Sequence, residues 1–143
     1  MKETMAKSYW LFKTEPTTYS FEQLLEDKKT NWNGIRNYQA RNYLRTAKKG
    51  DLALIYHSGK DKAVIGIAEI ISAPYPEKST DKGDWVQLDL RPVSRLNRAI
   101  ALAEIKNTPS LQKLPLIRHT RLSCMPVEQN EFETIKKLGQ NLK

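Results

Sequence analysis

The sequence predicts an α+β fold: a small β-barrel of about five or six strands with short helices packed on its outside. Three observations carry that prediction. Between Asp51 and Val93, three segments of strand-like length alternate apolar and polar residues or run wholly apolar, and such neighbours pair antiparallel into a curved sheet. Helical spacing is confined to short stretches around them. The chain has 143 residues with 39% apolar and 28% charged side chains, a composition that folds into one domain, 1–143 with its core at about 8–140.

Each element has a local reason. Ser8 to Lys13, SYWLFK, is dense in aromatic residues and reads as a strand, ended by Glu15-Pro16 because proline cannot donate to a ladder. Ser20 caps a helix over SFEQLLEDKK, with Gln23 placed as its capping-box partner. Trp32 to Tyr38, WNGIRNY, reads as a connection. From Tyr38 to Lys49 the period is helical: Ala40, Tyr43, Leu44 and Ala47 form an apolar stripe opposite a basic one of Arg41, Arg45, Lys48 and Lys49, and Gly50 suits the C′ position. Asp51 to Ser58 and Ala63 to Ser72 follow as strands, the second with Gly66 marking a bulge or a close backbone approach. Residues 74–83 read as a loop. Trp85 to Val93 is the third strand, with Val86, Leu88 and Leu90 inward and Gln87, Asp89 and Arg91 outward. Ala99 to Lys106 reads as a short helix, Ser110 to Leu114 as another turn, Arg121 to Met125 as a short strand. Pro126 is expected to open a last helix whose acids come early and lysines late, matching the helix dipole.

Composition excludes several function classes. A single cysteine allows no internal disulfide and no cysteine-built zinc or iron–sulfur site. No apolar run approaches the roughly 18 residues of a membrane span, and no secretory leader is expected before the first strand, with Met5 as good a start as Met1. The formal charge is +8, unevenly placed. Residues 28–50 carry seven basic and no acidic side chains, and residues 91–121 carry seven basic ones against Glu104 alone. Such stretches favour a polyanion, nucleic acid above all, although charge of this size also serves solubility alone.

Few residues are equipped for chemistry. Cys124 sits beside Met125 in an apolar strand, as a small hydrophobe does. His119 lies among basic loop residues. His57 ends an apolar strand, where it serves either a pocket or the fold. Lys13-Thr14-Glu15 is the one enzyme-like cluster, a lysine base beside a hydroxyl with a carboxylate to orient it, and equally an ordinary polar strand end. Trp10, Trp32 and Trp85 lie at strand ends or loops. Beside basic residues such rings form stacking platforms for a base, or else they seal the rim of the core.

The blocks YWLFKTEPTTYSFEQL, WNGIRNYQARNYL, GDLALIYHSG, VIGIAEI and RLSCMPV resemble, in sequence and order, the EVE-domain proteins, also called the thymocyte nuclear protein family. The resemblance runs from about Trp10 to the last helix. It implies a PUA-like fold, a mostly antiparallel barrel with flanking helices, and a non-catalytic module that takes a modified base of DNA or RNA into a pocket at one barrel end. Matched by motif, the pocket would be lined by Lys13, Thr14, Glu15, Trp32, Arg36, Asn37, Tyr38, Tyr56, His57 and Ser58, with Trp85, Arg121 and Ser123 as further members. Arg41, Arg45, Lys48 and Lys49 would hold phosphates. In such a site Trp32 stacks on the base while Asn37 and Ser58 read its edge. No cofactor, metal or membrane is implied; the expected state is a monomer, cytoplasmic, or nuclear in a eukaryote. The rival reading follows ASCH-type relatives that resemble amidohydrolases acting on acylated cytidine, with Lys13-Thr14-Glu15 as the machinery.

Overall fold

The computed structural model describes residues 7–78, 84–119 and 122–140. Its elements run β1 (Tyr9–Thr14), α1 (Phe21–Asp27), β2 (Thr30–Trp32), α2 (Tyr38–Leu44), β3 (Leu52–His57), β4 (Ala63–Ile70), β5 (Tyr75–Pro76), β6 (Val86–Ala101), α3 (Leu102–Lys106), a 3₁₀ turn (Pro109–Leu111), α4 (Pro115–Arg118), β7 (Cys124–Val127) and α5 (Gln129–Gln140). The strands form one sheet in the order β2-β6-β4-β3-β1-β7, with β5 on β6. The fold is thus α+β, as expected. β3–β4 and β4–β6 pair antiparallel, while β1 and β3, joined by a long crossover, pair parallel.

The sheet is strongly curled. In strand order β1 lies four steps from β2, about 19 Å in a flat sheet at 4.7–4.9 Å per strand. Yet the rings of Phe12 on β1 and Trp32 on β2 stack with centroids 5.8 Å apart. Only a barrel-like curl brings them together, and the core of Leu11, Phe12, Leu54, Ile55, Leu88, Leu90 and Ile100 fills it.

Pairing explains the departures from the expected elements. The strand expected to end at Val93 continues to Ala101, because β6 stays paired with β4, through two register shifts, as far as Ala63↔Ala101. Pro92 is accommodated opposite Ala68, next to a register shift. The helix expected from Ala99 therefore begins only at Leu102. Gln87, expected to face outward, is buried, since Asn31 on β2 donates to its Oε1 at 2.7 Å. Trp32, expected in a connection, closes the short strand β2. Pro126 lies inside β7 opposite Trp10 rather than at the start of the last helix. Ser20 Oγ accepts the Gln23 N–H, but the Gln23 side chain turns to Asp27, so only half of the expected capping box forms.

Asp51 explains why α2 stops early. Its carboxylate, 1% exposed, accepts from the Ser8 N–H (3.0 Å), Trp10 Nε1 (3.0 Å) and the Lys48 N–H (2.8 Å). The last bond draws Lys48 out of the helix that its spacing predicted. Lys48 Nζ also donates to Ser8 Oγ at 3.0 Å. Arg45 is the C-cap, and Lys48 and Lys49 lie beyond the helix rather than on its basic stripe.

Gly66 fulfils both sequence expectations. It sits beside a register shift in β3–β4, and a Cβ there would lie 2.5 Å from the Phe21 ring. That ring is fully buried. Gly66→Ala is therefore expected to lower stability by about 1–3 kcal/mol, read in a denaturant titration. An unchanged midpoint would mean that α1 docks without needing this approach.

Candidate functional site

A cleft of about 380 Å³ opens where the two sides of the curled sheet meet without pairing, a volume within the range of small-molecule sites. The end of β1 supplies Lys13, Thr14 and Glu15, and Ser123 borders it from the start of β7. The opposite wall is Thr30, Asn31 and Trp32 of β2 with the Asn33-Gly34-Ile35 turn, and Tyr19 closes one side. Gly34 has φ +82°, a turn conformation that glycine adopts without strain.

The walls are firmly held. The Lys13 N–H donates to the Ser123 carbonyl at 2.9 Å. Thr14 Oγ1 donates to the Tyr19 carbonyl at 2.6 Å, and the Tyr19 hydroxyl donates to Asp27 at 2.7 Å. Tyr19 meets Trp32 edge-on at 6.1 Å. From outside, Glu77 takes the Gly34 N–H at 2.9 Å and Arg36 Nη2 at 2.5 Å, which clamps the turn. The Arg36 guanidinium in turn holds the Glu77 carboxyl below the usual range. Lys13 is half-buried beside the Tyr56 ring, 5.9 Å from Nζ to centroid. Burial pulls its ammonium below the usual lysine value.

The structure thus gathers Lys13, Thr14, Glu15, Trp32 and Ser123 of the expected site. It adds Tyr19, Thr30, Asn31, Asn33, Gly34 and Ile35, which the sequence reading did not name as lining. One signal exists for three of them: Thr30, Asn31 and Asn33 adjoin Trp32 in a short strand-like run. The other expected members lie elsewhere. Asn37 is the N-cap of α2, its Oδ1 accepting the Ala40 N–H at 2.8 Å. Tyr56 and His57 are buried at 4% and 3% exposure. The Phe21 N–H donates to His57 Nε2 at 3.0 Å, so the ring proton is on Nδ1, which faces Asp61 at 3.0 Å. His57 therefore anchors the start of α1. Ser58 Oγ donates to the Thr14 carbonyl behind the cleft wall. Arg121 lies outside the described residues.

The tryptophans are not the exposed platforms that sequence position suggested. Trp10, Trp32 and Trp85 are 3%, 8% and 7% exposed, because Asp51, Phe12 and Tyr38 respectively take the ring edge or face. Trp85 forms a second aromatic cluster on the far side of the 33–37 turn. Tyr38 stacks on it at 5.0 Å, and the Arg36 and Arg41 guanidinium carbons lie 5.2 and 5.8 Å from its centroid.

The polar groups suit recognition better than covalent chemistry. Thr14 gives its proton to a carbonyl rather than to a base, and Glu15 Oε1 accepts from the Thr17 N–H and hydroxyl. Among the described residues no group of three or more His, Cys, Asp or Glu is placed to hold a metal.

Comparison with known proteins agrees with this architecture. The EVE domain matches residues 8–138. Human thymocyte nuclear protein 1 is 32% identical over 93% of this chain and 74% of its own length. A solved structure of that human protein in complex with DNA containing 5-methylcytosine superposes with TM-score 0.86 at 31% identity, covering 94% of this chain and 99% of the other. An Agrobacterium tumefaciens protein matches with TM-score 0.88 at 33% identity, covering 95% of each chain. An ASCH protein from Zymomonas mobilis, at TM-score 0.61 and 14% identity, shares the fold.

Trp32 is both a cleft wall and a core ring stacked on Phe12. Trp32→Ala is expected to cost about 3–5 kcal/mol of stability, measured by chemical denaturation. A variant that keeps wild-type stability would make Trp32 a cleft residue alone.

Proposed function

Because this chain belongs to the EVE-domain family, we propose that it binds DNA and takes one modified base, 5-methylcytosine first among candidates, into the cleft between the end of β1, β2 and Ser123. The observation that carries this reading is the human relative solved with 5-methylcytosine DNA, alike over nearly the whole of both chains. The cleft supports it. A flipped base needs an apolar slot and a few groups for its edge. Trp32 and Ile35 supply the apolar surface; Lys13 offers donors, and Thr30, Asn31, Asn33 and Ser123 offer both donors and acceptors. The positive charge of Lys13 at the end of β1 suits a carbonyl oxygen or phosphate in the cleft. The module holds and releases its base without transforming it.

Backbone contacts fall to fewer residues than the charge stripe suggested. Arg45 and Lys49 are exposed, and Arg45 makes one bond to the Asp84 carbonyl at 3.2 Å. Lys48 is drawn to Ser8 and Asp51. In the second basic stretch Arg91, Arg95 and Arg98 are paired with Glu69, Glu22 and Glu104.

Three measurements test the reading. A buried methyl contributes about 0.8 kcal/mol, so an oligonucleotide with 5-methylcytosine should bind about fourfold more tightly than its unmodified twin. Equal affinity for modified and unmodified oligonucleotides across a panel of modifications would remove base recognition, and turnover of modified nucleosides in a mass-spectrometric assay would replace it with catalysis. Arg45→Ala with Lys49→Ala should weaken both oligonucleotides alike and reduce the log affinity–log salt slope by about 1.8, the loss of two phosphate contacts.

A further inference from the structure

The Trp85 cluster lies outside the cleft, yet one side of it is open. Trp85 is buried and covers one face of Tyr38, with ring centroids 5.0 Å apart and planes inclined by 26°. The Arg41 guanidinium carbon is 4.9 Å from the Tyr38 centroid and 5.8 Å from that of Trp85. A guanidinium on the outer face of Tyr38 would lie from Trp85 by nearly the sum of the Tyr38–Trp85 and Tyr38–Arg41 distances. The much shorter separation observed puts Arg41 over the Tyr38 ring on the side towards Trp85, not on the face turned away from it. The outer face of Tyr38 is therefore not the one these neighbours cover, and the residue is 58% exposed, the most exposed of the large hydrophobic side chains described. Tyr38 is fixed at the first position of α2, behind the Asn37 cap, so the ring is presented on a rigid element.

The platform is also close to the cleft. The turn whose residues Asn33, Gly34 and Ile35 line the cleft continues directly into Arg36, Asn37 and Tyr38. Three residues of fully extended chain span at most about 11 Å from Ile35 to Tyr38, roughly three nucleotide rises of a stacked strand. Glu77 pins both the Gly34 N–H and Arg36, which fixes the two sites relative to each other.

We propose that Tyr38, backed by Trp85 and flanked by Arg41, is a second nucleotide subsite: its open face stacks a base of the same strand within three nucleotides of the base held in the cleft. This rests on the reading of the cleft as a base site. An aromatic face takes any base, so the subsite adds affinity without sequence preference, and the guanidinium at its side suits the adjoining phosphate. Base selection stays with the cleft, and Tyr38 measures whether a strand continues beyond the selected base.

The test compares two probes by fluorescence anisotropy competition: 5-methyl-2′-deoxycytidine monophosphate, which is too short to span both sites, and a single-stranded 11-mer DNA with one central 5-methylcytosine. Stacking predicts that Tyr38→Ala weakens the 11-mer by about 5- to 150-fold and leaves the mononucleotide unchanged. Tyr38→Leu, which keeps an apolar cover on Trp85 but no ring, should match Tyr38→Ala, and Tyr38→Phe should match wild type. An abasic site at one of the three positions on either side of the central base should abolish the difference between Tyr38→Ala and wild type. Loss of both probes to the same degree, retention of full 11-mer affinity by Tyr38→Leu, or indifference to every abasic position would each overturn the subsite. Failure of the cleft reading looks different: no mononucleotide binding and no preference for methylated over plain 11-mer, with the Tyr38 effect intact.

Discussion

Everything about this chain's site follows from how the curled sheet comes round on itself. β1 and β2 meet through aromatic rings rather than through a hydrogen-bonded ladder. Phe12 and Trp32 stack, and Tyr19 adds an edge, so the barrel is sealed below by side chains. Above those rings the two strands diverge, and the polar ends of β1 and β2 face each other across open space. A fully paired barrel would have placed a ladder there. The cleft is thus a consequence of incomplete closure, and its floor is part of the hydrophobic core. The cleft lining and the core share Trp32, which limits how freely that position can vary.

The local signals of the fold were legible where hydropathy had a clear period. β3, β4 and the first half of β6 alternate or run apolar, and the antiparallel sheet through them was readable from that alone. What could not be read depends on partners distant in sequence. AIALAEI has helical composition, yet its first residues stay extended because β4 offers a ladder through Ala101. The helix ending at Leu44 was overestimated because a carboxylate several residues downstream captures the Lys48 N–H. The site divides in the same way. The cluster Lys13-Thr14-Glu15 stands out in the sequence as a polar run at a strand end, and it does line the cleft. The family motifs put Asn37 and His57 in the expected pocket, whereas in the fold the backbone N–H groups that open two helices already claim them.

Charge shows how counting differs from availability. Two stretches of the chain are equally rich in basic residues, but folding treats them differently. β6 aligns Arg91 with Glu69 of β4 and Arg95 with Glu22 of α1, and Arg98 is held in a fork by Glu104. These pairs fasten helices and strands to one another. The stretch around α2 instead keeps Arg45 and Lys49 exposed, Arg45 with a bond to the carbonyl of Asp84, next in sequence to Trp85. Neither the number of basic residues nor their distance from acids along the sequence anticipates this difference; it follows from where folding brings the acidic partners.

Cys124, the chain's single cysteine, pairs opposite Phe12 in the β1–β7 ladder and is wholly buried. That burial pushes its thiol well above the usual range, so almost none of it is thiolate in the folded chain. An alkylating reagent reaches this sulfur only during excursions that part β7 from β1. Its labelling rate is a built-in clock for opening on this flank of the barrel. Because Ser123, the residue just before it, borders the cleft, a molecule lodged there braces the same flank, and occupancy becomes readable as protection of one natural sulfur.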